Sequence, residues 1–156
     1  MRLVIRSMIV ALLCASGTAF AAGGDSSPSP AAATDPAIER AQEAMRAKDW
    51  PRAAAIMRDA LASQPGNADY HNLYAYAVRK GPNPDMKLVF REYEEALRID
   101  PKHRNAHEYI GEAYLQVGNL AKAKEHLAAL DKLCFFPCEQ YSELKEAVAD
   151  YEKAHK

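Results

Sequence analysis

The sequence predicts an all-α solenoid of paired helices, on three observations. From Pro36 onward apolar residues recur at helical spacing, clusters of Gly, Pro and Asn interrupt them, and one helix-turn-helix pattern recurs along the chain. The breakers are Pro65-Gly66-Asn67, Gly81-Pro82-Asn83-Pro84, Asp100-Pro101, Gly118-Asn119 and Pro137. They divide the chain into seven helices, over 37–48, 52–63, 68–80, 86–99, 104–117, 120–133 and 139–155, and leave no strand candidate. Short connections make successive helices antiparallel neighbours. Composition agrees: 49% hydrophobic and 26% charged residues are ordinary for one packed domain and exclude a collagenous, disulfide-dense or wholly disordered chain. The formal net charge is −1 and Lys and Arg are scattered, so no electrostatic footprint for nucleic acid or an anionic membrane is present.

In chain order, residues 1–21 read as a signal peptide. Arg2 and Arg6 form a positive start, 8–15 is an apolar run, and Ala19-Phe20-Ala21 offers the small-x-small pattern cut by signal peptidase. The run is far shorter than the ~20 apolar residues that span a bilayer, so no integral membrane segment is expected after cleavage. Cys14 follows Leu12 and Leu13 where lipidation wants small residues, which argues against a lipid anchor. The expected location is the periplasm or the exterior of a bacterium, an oxidising compartment. Residues 22–35, rich in Ala, Gly, Ser and Pro, have little to bury and read as a flexible linker to a domain over 36–156.

Within that domain the first helix pair carries Ala41, Ala53, Met57, Ala60 and Pro65 at the repeating positions, although its leading helix has Arg40 and Ala44 at places usually apolar or aromatic. The second pair carries Leu73, Tyr93, Ala96 and Pro101, with about three extra residues at 81–84 and Tyr74 at the small position, which should widen its crossing. The third carries Ile110-Gly111, Tyr114, Gly118-Asn119, Ala123 and Leu127. Gly111 and Ala123 are small where paired helices cross closely, while Tyr114 and Leu127 fill the space beside them. Tyr141, Leu144 and Val148 then mark a final, unpaired helix that caps the stack, with Lys145 facing water where the third pair has Gly111.

This pattern resembles the tetratricopeptide repeat, a unit of about 34 residues. The resemblance covers nearly all of 36–156 and implies three repeats plus a capping helix. It also implies a non-catalytic interaction module that holds a peptide or protein of unknown identity in the concave groove lined by the first helix of each repeat. Carried onto this chain, the groove would hold Ile38, Gln42, Met45 and Arg46, then His71, Ala75, Val78 and Arg79, then Asn105, Glu108, Glu112, Leu115 and Gln116. Arg46 and Arg79 toward one end, with Glu108 and Glu112 toward the other, would orient a bound segment as exposed charges. Chaperone-binding members clamp a terminal carboxylate with Lys, Arg and Asn. Here Ile38, Gln42 and Tyr109 stand at such positions and only Asn72 matches, which argues against that role.

Other constellations have weaker chemistry. Cys134 and Cys138 flank Phe135-Phe136-Pro137 at a helix end. Their spacing is neither that of C-x2-C redox sites nor of a paired zinc ligand set, so in an oxidising compartment they read as a structural disulfide. Redox-active thiols or a metal site are the alternatives, and with a histidine they would make the chain a metal- or thiol-handling protein. Phe135 and Phe136 read as core plugs. His103 and His107 are four apart, but His103 precedes the helix and His107 sits at a packing position. His71, His126 and His155 read as surface or groove residues, and Glu92, Glu94 and Glu95 as a solvated face. No nucleophile elbow, phosphate loop or catalytic carboxylate pair is present, so neither enzymatic activity nor a cofactor is expected.

Overall fold

The structure, a computed structural model, describes residues 35–136 and 138–156. The expected signal peptide, Pro137 and all of the expected linker except Asp35 lie outside the described residues. Seven helices follow one another: α1 (Pro36–Arg46), α2 (Trp50–Ser63), α3 (Ala68–Lys80), α4 (Met86–Ile99), α5 (Arg104–Gln116), α6 (Leu120–Leu133) and α7 (Glu139–Ala154). The bounds of α3, α4 and α6 coincide with those read from the breakers.

Local chemistry explains this legibility. Asp35, Asp49, Asn67, Asp85, His103 and Asn119 each accept a backbone N–H bond from the turn they open. Such a cap stabilises a helix by about 1 kcal/mol. Asp35, read as the end of the linker, is thus part of the fold, and it also accepts the Tyr70 hydroxyl. That bond is the main reason its carboxyl sits below the usual aspartate range. α1 stops two residues early because Lys48 enters the left-handed region, φ 57°, as Gly118 does after α5, φ 80°. The same bonding closes both turns: Asp49 N–H to Ala44 C=O and Asn119 N–H to Tyr114 C=O. α7 alone opens without a side-chain cap.

Packing stacks the helices in two layers. The inner helices α1, α3 and α5 touch in succession, α2, α4 and α6 back them, and α7 closes the stack against α5 and α6. Ala41, Ala53, Ala75 and Ala123 are fully buried, as expected of small residues at close crossings. A core of Ala75, Val89, Tyr93, Ile110 and Ala113 joins α3, α4 and α5, and a second of Ala123, Leu130, Leu144 and Val148 joins α6 to α7.

Three sequence expectations change. α3 and α5 begin 36 residues apart, so the insertion is two residues and Ala75, not Tyr74, occupies the place of Gly111. Tyr74 instead packs against the Ala41, Met57 and Tyr70 cluster. Gly111 serves a different neighbour from the one expected: a Cβ there would lie 2.6 Å from Leu144 Cδ2 of α7. Phe135 and Phe136 are not core plugs, being 93% and 76% exposed. Cys134 and Cys138 are joined by a disulfide across this turn, with their Cα atoms 5.8 Å apart. The two phenyl rings meet edge to face at 5.0 Å.

Candidate functional site

The inner layer forms an open groove of about 390 Å³. α1 contributes Gln42, Met45 and Arg46, α3 contributes Leu73 and Tyr76, α5 contributes Asn105 and Tyr109, and Trp50 closes the α2 side. Aromatic rings make its floor: Trp50 meets Tyr76 edge to face at 6.1 Å, and Tyr76 lies 4.6 Å from Tyr109. The Arg79 guanidinium and the Lys80 ammonium stand 5.6 and 5.8 Å from the Tyr76 ring centre. Gln140 of α7 donates to Asn105 Oδ1 at 2.9 Å, so the Asn105 amide N–H2 is left to donate elsewhere.

Of the groove residues read from sequence, Gln42, Met45, Arg46 and Asn105 line this cavity. Gln116 is exposed at the end of α5, and Ile38 and Leu115 are half-buried against core clusters. The second-repeat assignments fail. His71 is buried between α3 and α4, with Nδ1 2.7 Å from Glu92 and Nε2 2.9 Å from the Pro65 carbonyl, while Ala75 and Val78 pack in the α3–α4–α5 core. The cause is the one-residue misplacement of the small position, which rotates α3 by about 100° in the assignment. Counting back 36 from α5 would have put Tyr76, the residue after Ala75, on the groove face in the place of Glu112. Tyr109 was legible through the resemblance, which sets it at a clamp position of the groove; Trp50 had no comparable signal, since it is placed by how neighbouring helices meet.

Of the four charges read as exposed ends of a gradient, Arg46 is exposed and Glu112 partly so, but Arg79 and Glu108 are buried. Arg79 is buried and donates from Nη2 to Glu112 at 2.6 Å and from Nε to the Tyr93 hydroxyl at 3.4 Å. Glu92, expected on a solvated face, is buried between His71 and Arg91. Glu108 is only 2% exposed and is hydrogen-bonded to Glu143 of α7. Burial, followed by that carboxyl, pushes Glu108 up to about 9, which favours its neutral form at neutral pH. Asn72, the one match to a carboxylate clamp, is 1% exposed, and its Oδ1 has no hydrogen-bond partner.

Glu108 makes stability depend on pH in a stated direction. Its folded value lies above the unfolded 4.5, so its contribution is present below pH 4.5 and is lost as pH rises toward 9. The limiting slope is about 1.4 kcal/mol per pH unit. Glu108→Gln is expected to remove that component, which urea midpoints between pH 5 and 8.5 would show as a flatter profile and greater stability at pH 8. Parallel profiles for the two proteins would contradict it.

Elsewhere, His107 and His126 face each other across α5 and α6 with Nδ1 atoms 3.0 Å apart, and His107 Nε2–H donates to the Pro101 carbonyl. His126 is therefore not an isolated surface residue; burial, then His107, pushes it down to about 4. His103 caps α5 through Nδ1 and donates from Nε2 to Asp69, which separates it from His107. Among the described residues no group of three or more His, Cys, Asp or Glu side chains is arranged to hold a metal ion.

Two solved structures share this arrangement of inner and outer helices. One is the TPR2B domain of yeast Sti1 in complex with pHsp70, at TM-score 0.67 and 19% identity, covering 76% of this chain and 94% of that one. The chain folds as a tetratricopeptide solenoid. The other is the type III secretion translocator chaperone SycD of Yersinia enterocolitica, at TM-score 0.66 and 14% identity, covering 76% of this chain and 83% of that one. No family model and no curated protein sequence matches. The tetratricopeptide geometry accounts for the groove: paired helices place every first helix on one side of the stack. Among the described residues no helix is long and apolar enough to cross a membrane.

Proposed function

We propose that this chain is a non-catalytic protein-interaction module that holds a peptide or protein segment in the groove between α1, α3 and α5. The aromatic floor of Trp50, Tyr76 and Tyr109, open to solvent and rimmed by Gln42 and Asn105, carries the reading. Aromatic faces supply rigid contact area for a partner's side chains, and the rim amides can bond its backbone. The similarity to one tetratricopeptide domain in complex with pHsp70 and to a translocator chaperone supports binding over catalysis. An exported location accompanies this proposal. It rests on Arg2, Arg6, the apolar run 8–15 and Ala19-Phe20-Ala21, and the Cys134–Cys138 pair suits an oxidising compartment.

The test is crosslinked partner recovery from cells expressing the full chain, alongside N-terminal sequencing of the mature protein. Tyr76→Ala and Tyr109→Ala are each expected to reduce recovery about tenfold, the loss of a hot-spot aromatic. Arg58→Glu, on the exposed side of α2, should leave it unchanged. Equal recovery from all three variants would move the binding surface away from the groove. A mature protein starting at Met1 would remove the export proposal alone.

A further inference from the structure

Among the described residues three large apolar side chains are exposed, and two of them are neighbours: Phe135 and Phe136, in the turn between α6 and α7. Single exposed apolar residues are ordinary, whereas two adjacent phenyl rings leave roughly 300 Å² of apolar surface in water at one point. The Cys134–Cys138 disulfide closes that turn, so less chain freedom is lost when the rings are bound. The same molecule carries a concave aromatic surface, the groove of about 390 Å³ over Trp50, Tyr76 and Tyr109. Its rings offer a phenyl group both edges and faces. The chain does not fill its own groove, since the phenyl rings lie in water and α6 and α7 touch neither α1 nor α3. Charge favours a match between the two surfaces. Arg46 is exposed in the groove lining, Lys80 stands beside the Tyr76 ring, and Glu112 is held by Arg79. The turn is flanked by the exposed carboxylates of Asp131 and Glu139 against one exposed cation, Lys132. It lacks the cluster of basic residues that an anionic membrane attracts.

We infer that the occupant of the groove is the Phe135-Phe136 turn of a second copy of this chain. The inference rests on the groove reading above and names the partner. The two rings lie against the aromatic floor, the Gln42 and Asn105 amides bond the backbone of the turn, and Arg46 meets the carboxylates that flank it. Two phenyl rings supply less than half of the ~800 Å² per partner that a stable interface buries, so the association is weak, with a dissociation constant on the order of 0.1 mM. The contact joins unlike surfaces. Each bound pair therefore keeps one free groove and one free turn, and further copies add head to tail.

Sedimentation equilibrium of the full oxidised chain, from about 10 μM to about 1 mM, reads the association. The mean mass is expected to rise past twice that of the monomer. The double variant Phe135→Ser, Phe136→Ser should stay monomeric, and because both rings are exposed its urea midpoint should match that of the unmodified protein. Tyr109→Ala, with circular dichroism as the check on folding, should also stay monomeric. Arg46→Glu, a change at an exposed position, should weaken association about threefold, while Arg58→Glu on α2 leaves it unchanged. The deciding measurement mixes the double variant with Tyr109→Ala. One keeps its groove and the other its turn, so the mixture should form one-to-one dimers and nothing larger. A chain that is monomeric at the highest concentration would overturn the inference, as would a mixture of folded variants that stays monomeric. Association that survives Tyr109→Ala but not the double variant would place turn against turn, and would overturn it too. A monomer that binds neutral phosphatidylcholine vesicles through Phe135 and Phe136 would give the turn to a membrane instead. If Tyr109→Ala lowers partner recovery while the chain stays monomeric, the groove reading stands and the second copy falls. If Tyr109→Ala changes neither recovery nor association, the groove reading itself falls.

Discussion

Leu144→Ala is expected to destabilise the protein by about 2–5 kcal/mol, the range for emptying a buried leucine site. Leu144 is fully buried, and its side chain fills the space left by Gly111, where even one added carbon would come within 2.6 Å. α5 therefore has no side chain at that point with which to close the cavity. The loss should also be local. α7 opens without a side-chain cap, so its amides should exchange with solvent before those of α3 to α5. Urea denaturation and hydrogen exchange check both statements. A loss under about 1 kcal/mol would mean that α7 is an appendage, and the cavity argument would fail with it. Loss of α7 would also remove the Gln140 bond to Asn105, which lines the groove, so the capping helix supports the site as well as the core.

Arg79→Met should cost about 3 kcal/mol, the low end of the range for stripping one partner from a buried ion pair, because Glu112 keeps 28% of its side-chain surface in water. The change leaves Glu112 without its guanidinium partner and takes from the Tyr93 hydroxyl its guanidinium donor. The double variant Arg79→Met, Glu112→Leu should recover most of the loss, since neither charge then remains buried alone. A double-mutant cycle measured by urea denaturation decides it. A double variant as unstable as Arg79→Met would assign the loss to packing around Tyr76 instead. The exposed-charge reading of Arg79 and Glu112 expected almost no stability change from either residue.

Helix number, helix bounds and the repeat were determined by the sequence alone, because their causes are local. Asp, Asn and His caps, the Pro-Gly-Asn breakers and the periodic alanines act within one or two turns of where they stand. So does the left-handed turn at Gly118, and its match at Lys48 follows from the same Ala44–Asp49 bonding. From the first and third repeats, Gln42, Met45, Arg46 and Asn105 line the cavity, whereas Ile38, Glu108 and Leu115 from the same repeats are packed or buried.

The character of the site was decided only by tertiary structure. Whether a glutamate on a helix is solvated depends on what the next helix brings to it. Glu94 stays exposed, Glu92 meets His71 across α3 and α4, and Glu108 is covered by Glu143 from 35 residues further along the chain. The pairing of Arg79 with Glu112, and the meeting of Trp50, Tyr76 and Tyr109, likewise join residues from different repeats. Periodicity specifies which face of a helix is apolar. It carries no information on the distance between charges on two such faces, and burial and charge pairing are set by that distance.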